Sequence, residues 1–325
     1  MWFNHPKFYL ARNELMKQLD HFKSSSSKPE LVRRKYFGSE PLPKIIFICG
    51  GDEKNFPNRL KVENYIKKHS KNNLTFRAEY AWETIVESKK KTVNALELED
   101  WLADFSDVVL ILVESFGTVA ELGAFSMGPD LRKKLLPILN KKFEKDESFI
   151  NTGPVRWVNN DSKYGPCIHA DFDSILTCMP DVLERVDVRR SKIYASRSEE
   201  ETYGELKFTR KEMLFLVVLV IISIGPVSED VVVSVFKEAF NIKGKSGVDD
   251  IEFFISLSVA LKMTKKAMIE DDLYYFCKDY NNLKNSIAVE PLLNLSQSIR
   301  SRCLSHLVYI KDYINTLEAV HKIDS

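Results

Sequence analysis

The chain has 325 residues, 44% of them hydrophobic, and a formal net charge of +1, a length that suits two domains of about 150 residues each. Such a charge balance excludes a global electrostatic pull toward nucleic acid or a membrane surface. The five cysteines (Cys49, Cys167, Cys178, Cys277 and Cys303) form no CxxC pair, which argues against a disulfide framework or a zinc site and for a reducing, cytoplasmic setting.

Residues 1–44 carry nine Lys/Arg against four Asp/Glu. Met1-Trp-Phe-Asn-His-Pro is followed by a charged amphipathic segment instead of an apolar core, so no secretory signal is expected. Residues 8–23 show helical spacing through Leu10, Leu15 and Leu19, with Met16 and Phe22 nearby. Four serines, 24–27, then make a joint, and Pro41 and Pro43 mark entry to the next unit. The basic helical extension is placed at 1–40.

From Lys44 the pattern alternates strand and helix. Residues 44–49 read as a strand closed by Gly50-Gly51, and a helix is expected over 58–69. A second strand spans 74–80. A helix near 93–105 is expected to bury Val93, Leu96 and Trp101. The apolar run 107–113 reads as a buried parallel strand, followed by a helix that carries Glu121. Residues 135–139 read as a fourth strand, and a last helix spans roughly 174–186. Strands separated by helices imply βαβ units and a Rossmann-like, mostly parallel α/β sheet over 41–190. The stretch 140–170 reads as irregular, a candidate lid or substrate loop. Cys167 and His169 lack partner ligands, so no metal site and no cofactor are expected.

Residues 191–204 are polar and read as a linker, and 205–325 form a second, mainly helical domain. The apolar run 213–224 falls short of the ~20 residues that span a bilayer and is expected to be a core helix. Helices are expected at about 209–224, 229–240 and 249–263. Two short strands around the acidic turn Glu270-Asp271-Asp272 then suggest a hairpin, which completes a winged-helix pattern. A single final helix is expected over 291–317, with Leu295, Ile299, Leu304 and Tyr309 on its apolar side. Lys243, Lys245, Lys262, Lys265 and Lys266 form a basic set suited to nucleic acid. Nearby Asp249, Asp250, Glu270, Asp271 and Asp272 leave contact with protein alone as the second reading.

The chemistry concentrates at Glu114-Ser-Phe-Gly-Thr-Val-Ala-Glu-Leu-Gly123. It lies at the exit of a strand, where open α/β sheets place their ligands. Glu121 sits about one turn into the following helix, aimed back at the crevice. Gly117 would let backbone approach a ligand, and Gly123 would let helix pack on sheet. Gly50, Gly51 and Asp52 would line the first turn, with backbone N–H groups toward phosphate. Glu79, at the end of the second strand, stands where an acid commonly meets ribose hydroxyls; it equally reads as a solvated side chain beside Arg77. Arg156 with Trp157 reads either as a phosphate clamp with a stacking base platform or as a structural pair.

These motifs resemble the nucleoside deoxyribosyltransferase family. Its members carry an aromatic-x-small-Gly turn after the first strand, here Phe47-Ile48-Cys49-Gly50. They also carry a strand-Asp-x-Gly-x-x-x-Glu-x-Gly-helix motif whose Glu attacks the sugar C1′, here ending on Glu121. The family's second acid falls on Glu99. Two departures stand out: Phe47 lacks the family's tyrosine hydroxyl, and Ser115 replaces its Asp, with Glu114 adjacent. Both imply a glycosidic substrate other than an ordinary deoxynucleoside, with Phe47, Ser115, Gly117 and Thr118 lining the site.

A basic helical N-terminus, a transferase-like domain containing Phe149-Ile-Asn-Thr-Gly-Pro-Val-Arg-Trp157 and a C-terminal winged helix together resemble retron effector proteins along nearly the whole chain. The resemblance implies a toxic antiphage protein that associates with a reverse transcriptase and its branched RNA–DNA product. It further implies N-glycosidase activity on NAD or a related nucleotide, with NAD as substrate. A carboxylate under C1′ can stabilise or capture the cationic sugar, and nicotinamide leaves without an acid catalyst. The rival readings are a nucleotide-sensing module that binds without turnover and a winged-helix regulator with a ligand-sensing first domain.

Overall fold

The structure, a computed structural model, describes residues 2–20, 33–34, 36–38, 40–70, 72–81, 95–187, 202–203, 208–278, 283 and 289–323. The chain divides into two compact units, Pro43–Ser196 and a second made of Met1–Leu42 with Arg197–Ser325. Helix α1 (Pro6–Leu19) therefore belongs to the unit built mainly by the C-terminal half.

The unit 43–196 is a five-stranded parallel sheet. Its strands are β1 (Lys44–Cys49), β2 (Asn73–Phe76), β3 (Val108–Val113), β4 (Leu135–Asn140) and β5 (Ile168–Ala170), in the spatial order β2-β1-β3-β4-β5. Every neighbouring pair is parallel. The connecting segments contain α2 (Asn58–His69), α3 (Ala95–Phe105), α4 (Phe116–Met127), α5 (Arg156–Asp161) and α6 (Met179–Asp187).

Side-chain alternation along the strands splits the core into two faces. Ile46, Ile48, Val108, Leu110, Leu112, Leu136 and Ile138 meet Val62 and Ile66 of α2 and Met179, Val182 and Val186 of α6. The alternate positions of β1, including Phe47 and Cys49, point to the opposite face. Strands covered on both sides read as continuous apolar runs, which is why residues 108–112 are all buried.

The strand order reverses direction between β1 and β3. A chain that starts in the middle of a sheet, moves to one side and then to the other leaves a crevice at that point, beyond the carboxyl ends of the two strands. Ligand sites of doubly wound sheets form there.

Several expectations shift. β2 ends at Phe76, and residues 78–81 turn helically, so Glu79 follows the strand instead of ending it. Residues 140–170 hold short helical turns at Lys141–Phe143 and Asn151–Val155, then α5 and β5. A three-residue strand shows no period, and Pro154 inside a helical turn masks the helix. Trp101 is 46% exposed; Leu98, Leu102 and Ala103 fill the core instead. Val93 and the side chain of Leu96 lie outside the described residues. Nothing among the described residues comes within 4 Å of a Cβ built at Gly123, so close helix–sheet packing is not what that glycine provides.

In the other unit, α7 (Arg210–Ile224) is buried at every position from Met213 to Ile224. A helix apolar all round and buried all round is a core helix, and no helix among the described residues is long and apolar enough to cross a membrane. It starts on a reciprocal cap between Thr209 and Glu212. α8 (Glu229–Phe240), α9 (Gly244–Ala260) and the antiparallel hairpin β8 (Lys265–Ile269) to β9 (Asp272–Phe276) follow; β6 (Thr202–Tyr203) and β7 (Phe208–Thr209) form a small ribbon before α7. Glu270 and Asp271 take φ of 49° and 68°, the left-handed pair that a two-residue hairpin turn needs.

The expected final helix is two, α10 (Glu290–Leu307) and α11 (Lys311–Ile323). The buried stripe of α10 runs through Leu292, Leu293, Ser296, Ile299, Cys303 and Leu307, while Tyr309 is 70% exposed in the turn between them. α1 packs on α10 and α7 through Ala11, Leu15 and Leu19. Leu10, expected on that face, is 44% exposed, and Phe22 and the serine run lie outside the described residues. The expected linker lies outside them too, save for residues 202 and 203.

Candidate active site

The crevice holds a cleft of about 430 Å³ lined by Phe47, Ile48, Cys49, Gly50, Arg59, Ala78, Glu79, Glu99 and Glu121. They come from five separate segments of the chain: residues 47–50, Arg59, residues 78–79, Glu99 and Glu121. β1 supplies Phe47 and Cys49 from the face opposite α2. α3 supplies Glu99, and α4 supplies Glu121 from its second turn.

Glu121 reaches the cleft because α4 is anchored at its first residue. Ser115 Oγ accepts from the Thr118 amide at 3.3 Å, and Thr118 Oγ1 accepts from the Ser115 amide at 3.0 Å. Such reciprocal caps satisfy orphan N–H groups and fix where a helix starts. The Glu114 amide also donates to Thr118 Oγ1, at 3.1 Å.

Glu114 ties the two strand ends together. Its Oε1 accepts from the Gly51 amide at 3.2 Å, and Asn58 Nδ2 lies 3.5 Å from its Oε2. Gly50 and Gly51 allow this because the chain around them is tight. A Cβ at residue 50 would lie 2.7 Å from Arg59 Cδ, and one at 51 would lie 2.3 Å from the Phe56 ring.

Glu121 is the most perturbed acid of the site. Burial, with the neighbouring Glu99 charge adding to it, raises its carboxyl from 4.5 to about 7. Cys49 and Arg59 pull the other way. Its Oε2 is buried with no hydrogen-bond partner among the described residues. Glu99 is raised by burial and then by Glu79. Burial pushes the Cys49 thiol well above its ordinary range, and the Glu121 and Glu99 charges push it further, so Cys49 is a neutral wall and not a thiolate nucleophile. Phe47 stacks on Phe76, with ring centroids 5.1 Å apart, and forms an apolar floor.

Arg59 brings the cation. It is 6% exposed, and its Nη2 lies 2.5 Å from Glu79 Oε1. Glu79 therefore pairs with Arg59 and not with Arg77, which is buried against Glu63 at 2.5 Å. Sequence reasoning missed Arg59, and its signal was only that it stands eight residues after Gly51 at the head of the first crossover helix. Cys49 was placed in the first-strand motif by the resemblance, but not singled out as a wall of the site.

The structure thus gathers Phe47, Gly50, Glu79, Glu99 and Glu121. Gly51 is buried beside them and held by Glu114. Ser115 and Thr118 cap α4 and do not line the cleft, Gly117 is exposed on its first turn, and Asp52 is exposed and bonded to Asn55. Arg156 is exposed on α5, and the Trp157 ring carries Arg132 at 5.2 Å. In the other unit, Lys243 and Lys245 stand at the start of α9, and Lys262, Lys265 and Lys266 follow its end. A 17-residue helix separates the two groups by about 25 Å.

Fold and cleft define an α/β protein of the doubly wound type with a carboxylate-lined cleft at its topological switch point. Residues 55–266 match the family model described as the STM3845 retron effector protein, and the chain belongs to that family. It is similar to two Escherichia coli proteins, of retrons Ec73 and Ec86, each provisionally named a ribosyltransferase/DNA-binding protein. Identity to the first is 32% over 124 residues, covering 37% of this chain and 39% of that protein. Identity to the second is 28% over 243 residues, covering 73% and 70%.

Proposed function

We propose that this protein is the toxic effector of a retron antiphage defence system and that its cleft cleaves a ribosyl C1′–N bond, NAD to nicotinamide and ADP-ribose in the first instance. The observation that carries the reading is Glu121, a half-buried carboxyl with one oxygen that has no partner among the described residues, set beside Glu99 in the switch-point cleft. Burying such a group without a partner is unfavourable. A site whose task is to meet a cationic sugar has a use for it.

The chemistry follows from the charges. As the C1′–N bond breaks, its electron pair returns to the nicotinamide ring and neutralises the ring nitrogen, so no proton donor is needed. Positive charge moves to C1′ and the ring oxygen. Ionised Glu121 either captures C1′ as an ester or holds the oxocarbenium ion until water arrives. Water then bonds to C1′, displacing the Glu121 carboxylate where the ester has formed, and gives its proton to Glu99, whose raised affinity for protons suits a general base. The cationic linkage lowers the Glu121 pKa on binding, so the substrate helps to ionise its own catalyst. Phe47 offers an apolar surface instead of a hydroxyl, in keeping with a nicotinamide-bearing substrate.

The three helices and hairpin of the other unit serve as a winged-helix module. It tethers the enzyme to the reverse transcriptase and its RNA–DNA product, which hold it silent in the cytoplasm. The names of the two relatives, which join a ribosyltransferase to a DNA-binding protein, support a glycosyl-transferring unit beside a nucleic-acid-binding one.

The test is incubation of wild type and Glu121→Gln with NAD and a nucleotide panel, with and without the nucleoprotein partner, products being separated by chromatography. Nicotinamide released by wild type alone is the expected result. Release of another free base would keep the mechanism and change the substrate. Binding without turnover under every condition would sink the enzyme in favour of a sensor.

A further inference from the structure

The cleft has one wall that the glycosidic step does not use. Arg59 is the sole cation among the described residues that line it. The side chain is 7% exposed and packs against Gly50, yet its Nε is buried with no partner among the described residues. A guanidinium so placed has donors left over. It stands in the first turn of α2, whose N-cap, Pro57, supplies no side-chain hydrogen bond to the helix. The start of a helix facing a glycine turn presents free N–H groups and a positive dipole end, the usual seat of phosphate in βα units.

The Gly51 amide is taken by Glu114, and Glu79 holds the Arg59 side of this place. Its carboxylate meets Arg59 Nη2 at 2.5 Å and is itself 52% exposed. A pair with one partner half in water is weakly held. A phosphate can take the guanidinium in bidentate fashion and use the helix amides as well.

We propose that Arg59 and the start of α2, backed by Gly50, form a phosphate subsite, with Glu79 as the resting occupant that an incoming phosphate displaces. The subsite makes the cleft a reader of nucleotides and a poor binder of bare nucleosides. Glu79 then swings to solvent, which removes one carboxylate from the neighbourhood of Glu99. The choice of nicotinamide compounds as probes rests on the glycosidase reading; the subsite itself does not.

The experiment is calorimetric titration of Glu121→Gln protein, which cannot use its carboxylate, with nicotinamide riboside, nicotinamide mononucleotide, NAD and inorganic pyrophosphate. The same titrations are made with Arg59→Gln, Arg59→Lys or Glu79→Gln added. The mononucleotide is expected to bind about tenfold or more tighter than the riboside. Arg59→Gln should erase that ratio and leave the riboside within about twofold, Arg59→Lys should keep part of it, and Glu79→Gln should strengthen every phosphate-bearing probe. If Arg59→Gln does not fold, the surface variant Glu79→Gln and the charge-keeping Arg59→Lys decide. Equal binding of riboside and mononucleotide, with pyrophosphate binding indifferent to the variants, would overturn the subsite. Pyrophosphate binding that follows the variants while no nicotinamide compound binds would keep the subsite and discard the nicotinamide substrate.

Discussion

Glu114 Oε1 accepts a hydrogen bond from the Gly51 amide at 3.2 Å, so the carboxyl ends of β1 and β3 are tied together at the point where the strand order reverses. The cleft's shape depends on that tie. Burial raises the Glu114 pKa, while Gly51 and Asn58 favour its ionised form. Glu114→Ala leaves the Gly51 amide without its partner and should cost about 1–3 kcal/mol of stability. Denaturant unfolding reads the loss, and amide exchange at Gly51 should accelerate. Glu114→Gln keeps an acceptor and should lose less. Equal stability of Glu114→Ala and wild type would show that the turn holds itself.

Glu121 sets a pH dependence of both stability and activity. Its folded pKa, about 7, lies above the ordinary 4.5. A raised acid favours the folded state below the lower value and loses that advantage as pH rises through the higher one. Wild type should therefore lose stability between about pH 4.5 and 7 relative to Glu121→Gln, by on the order of 2 kcal/mol at pH 8. In base release, kcat/KM should climb through a midpoint near 7, the point at which Glu121 ionises in the free enzyme. Glu99→Gln removes a neighbouring charge and should move that midpoint down. A profile flat from pH 5 to 9 would detach the activity from this carboxyl.

Ser115 separates a structural role from a binding one. It caps α4 and does not line the cleft. Ser115→Ala should lower stability by about 1 kcal/mol and leave nucleotide affinity unchanged within error. A large loss of affinity at unchanged Tm would make Ser115 a ligand residue after all.

Glu63 and Arg77 form a buried pair that braces α2 against the end of β2. Burial opposes ionisation of Glu63, yet Lys67 and Arg77 outweigh it and hold its pKa below 4.5. A depressed acid stabilises the fold above its unfolded value and loses that contribution as pH falls through the folded one, here below pH 4.5. Glu63→Gln leaves buried Arg77 with only the half-exposed Glu53 as counter-charge and should cost up to about 3 kcal/mol at pH 7, the difference from wild type shrinking below pH 4. Thermal melts across that range check it.

The parallel sheet was legible because its strands are buried on both faces. Runs such as residues 107–113 cannot be mistaken for amphipathic helices, and β1, β3 and β4 fall within a residue of where the apolar pattern puts them. Glu121 was legible in the motif after such a strand, and Glu99 only through the resemblance to the nucleoside deoxyribosyltransferase family. β5 and the break between α10 and α11 were not, because a three-residue strand has no period and two helices with short apolar turns between them look continuous.

By itself the sequence determined an alternation of strands and helices, a central core helix at 213–224, a hairpin, and a glutamate held just beyond a strand. Tertiary structure alone decided the order β2-β1-β3-β4-β5, because strand order depends on which crossovers lie on which face and leaves no local trace. That order opens the crevice between β1 and β3 and brings Arg59, Glu79, Glu99 and Glu121 to one cleft from four separate segments. It also separated residues that look alike in sequence: Ser115 and Thr118 turn inward to cap a helix, while Glu121, one turn further on, faces the ligand space. Period and propensity act over a few residues, whereas the site's electrostatics arise from burial beside groups up to 72 positions away, which only the folded chain supplies.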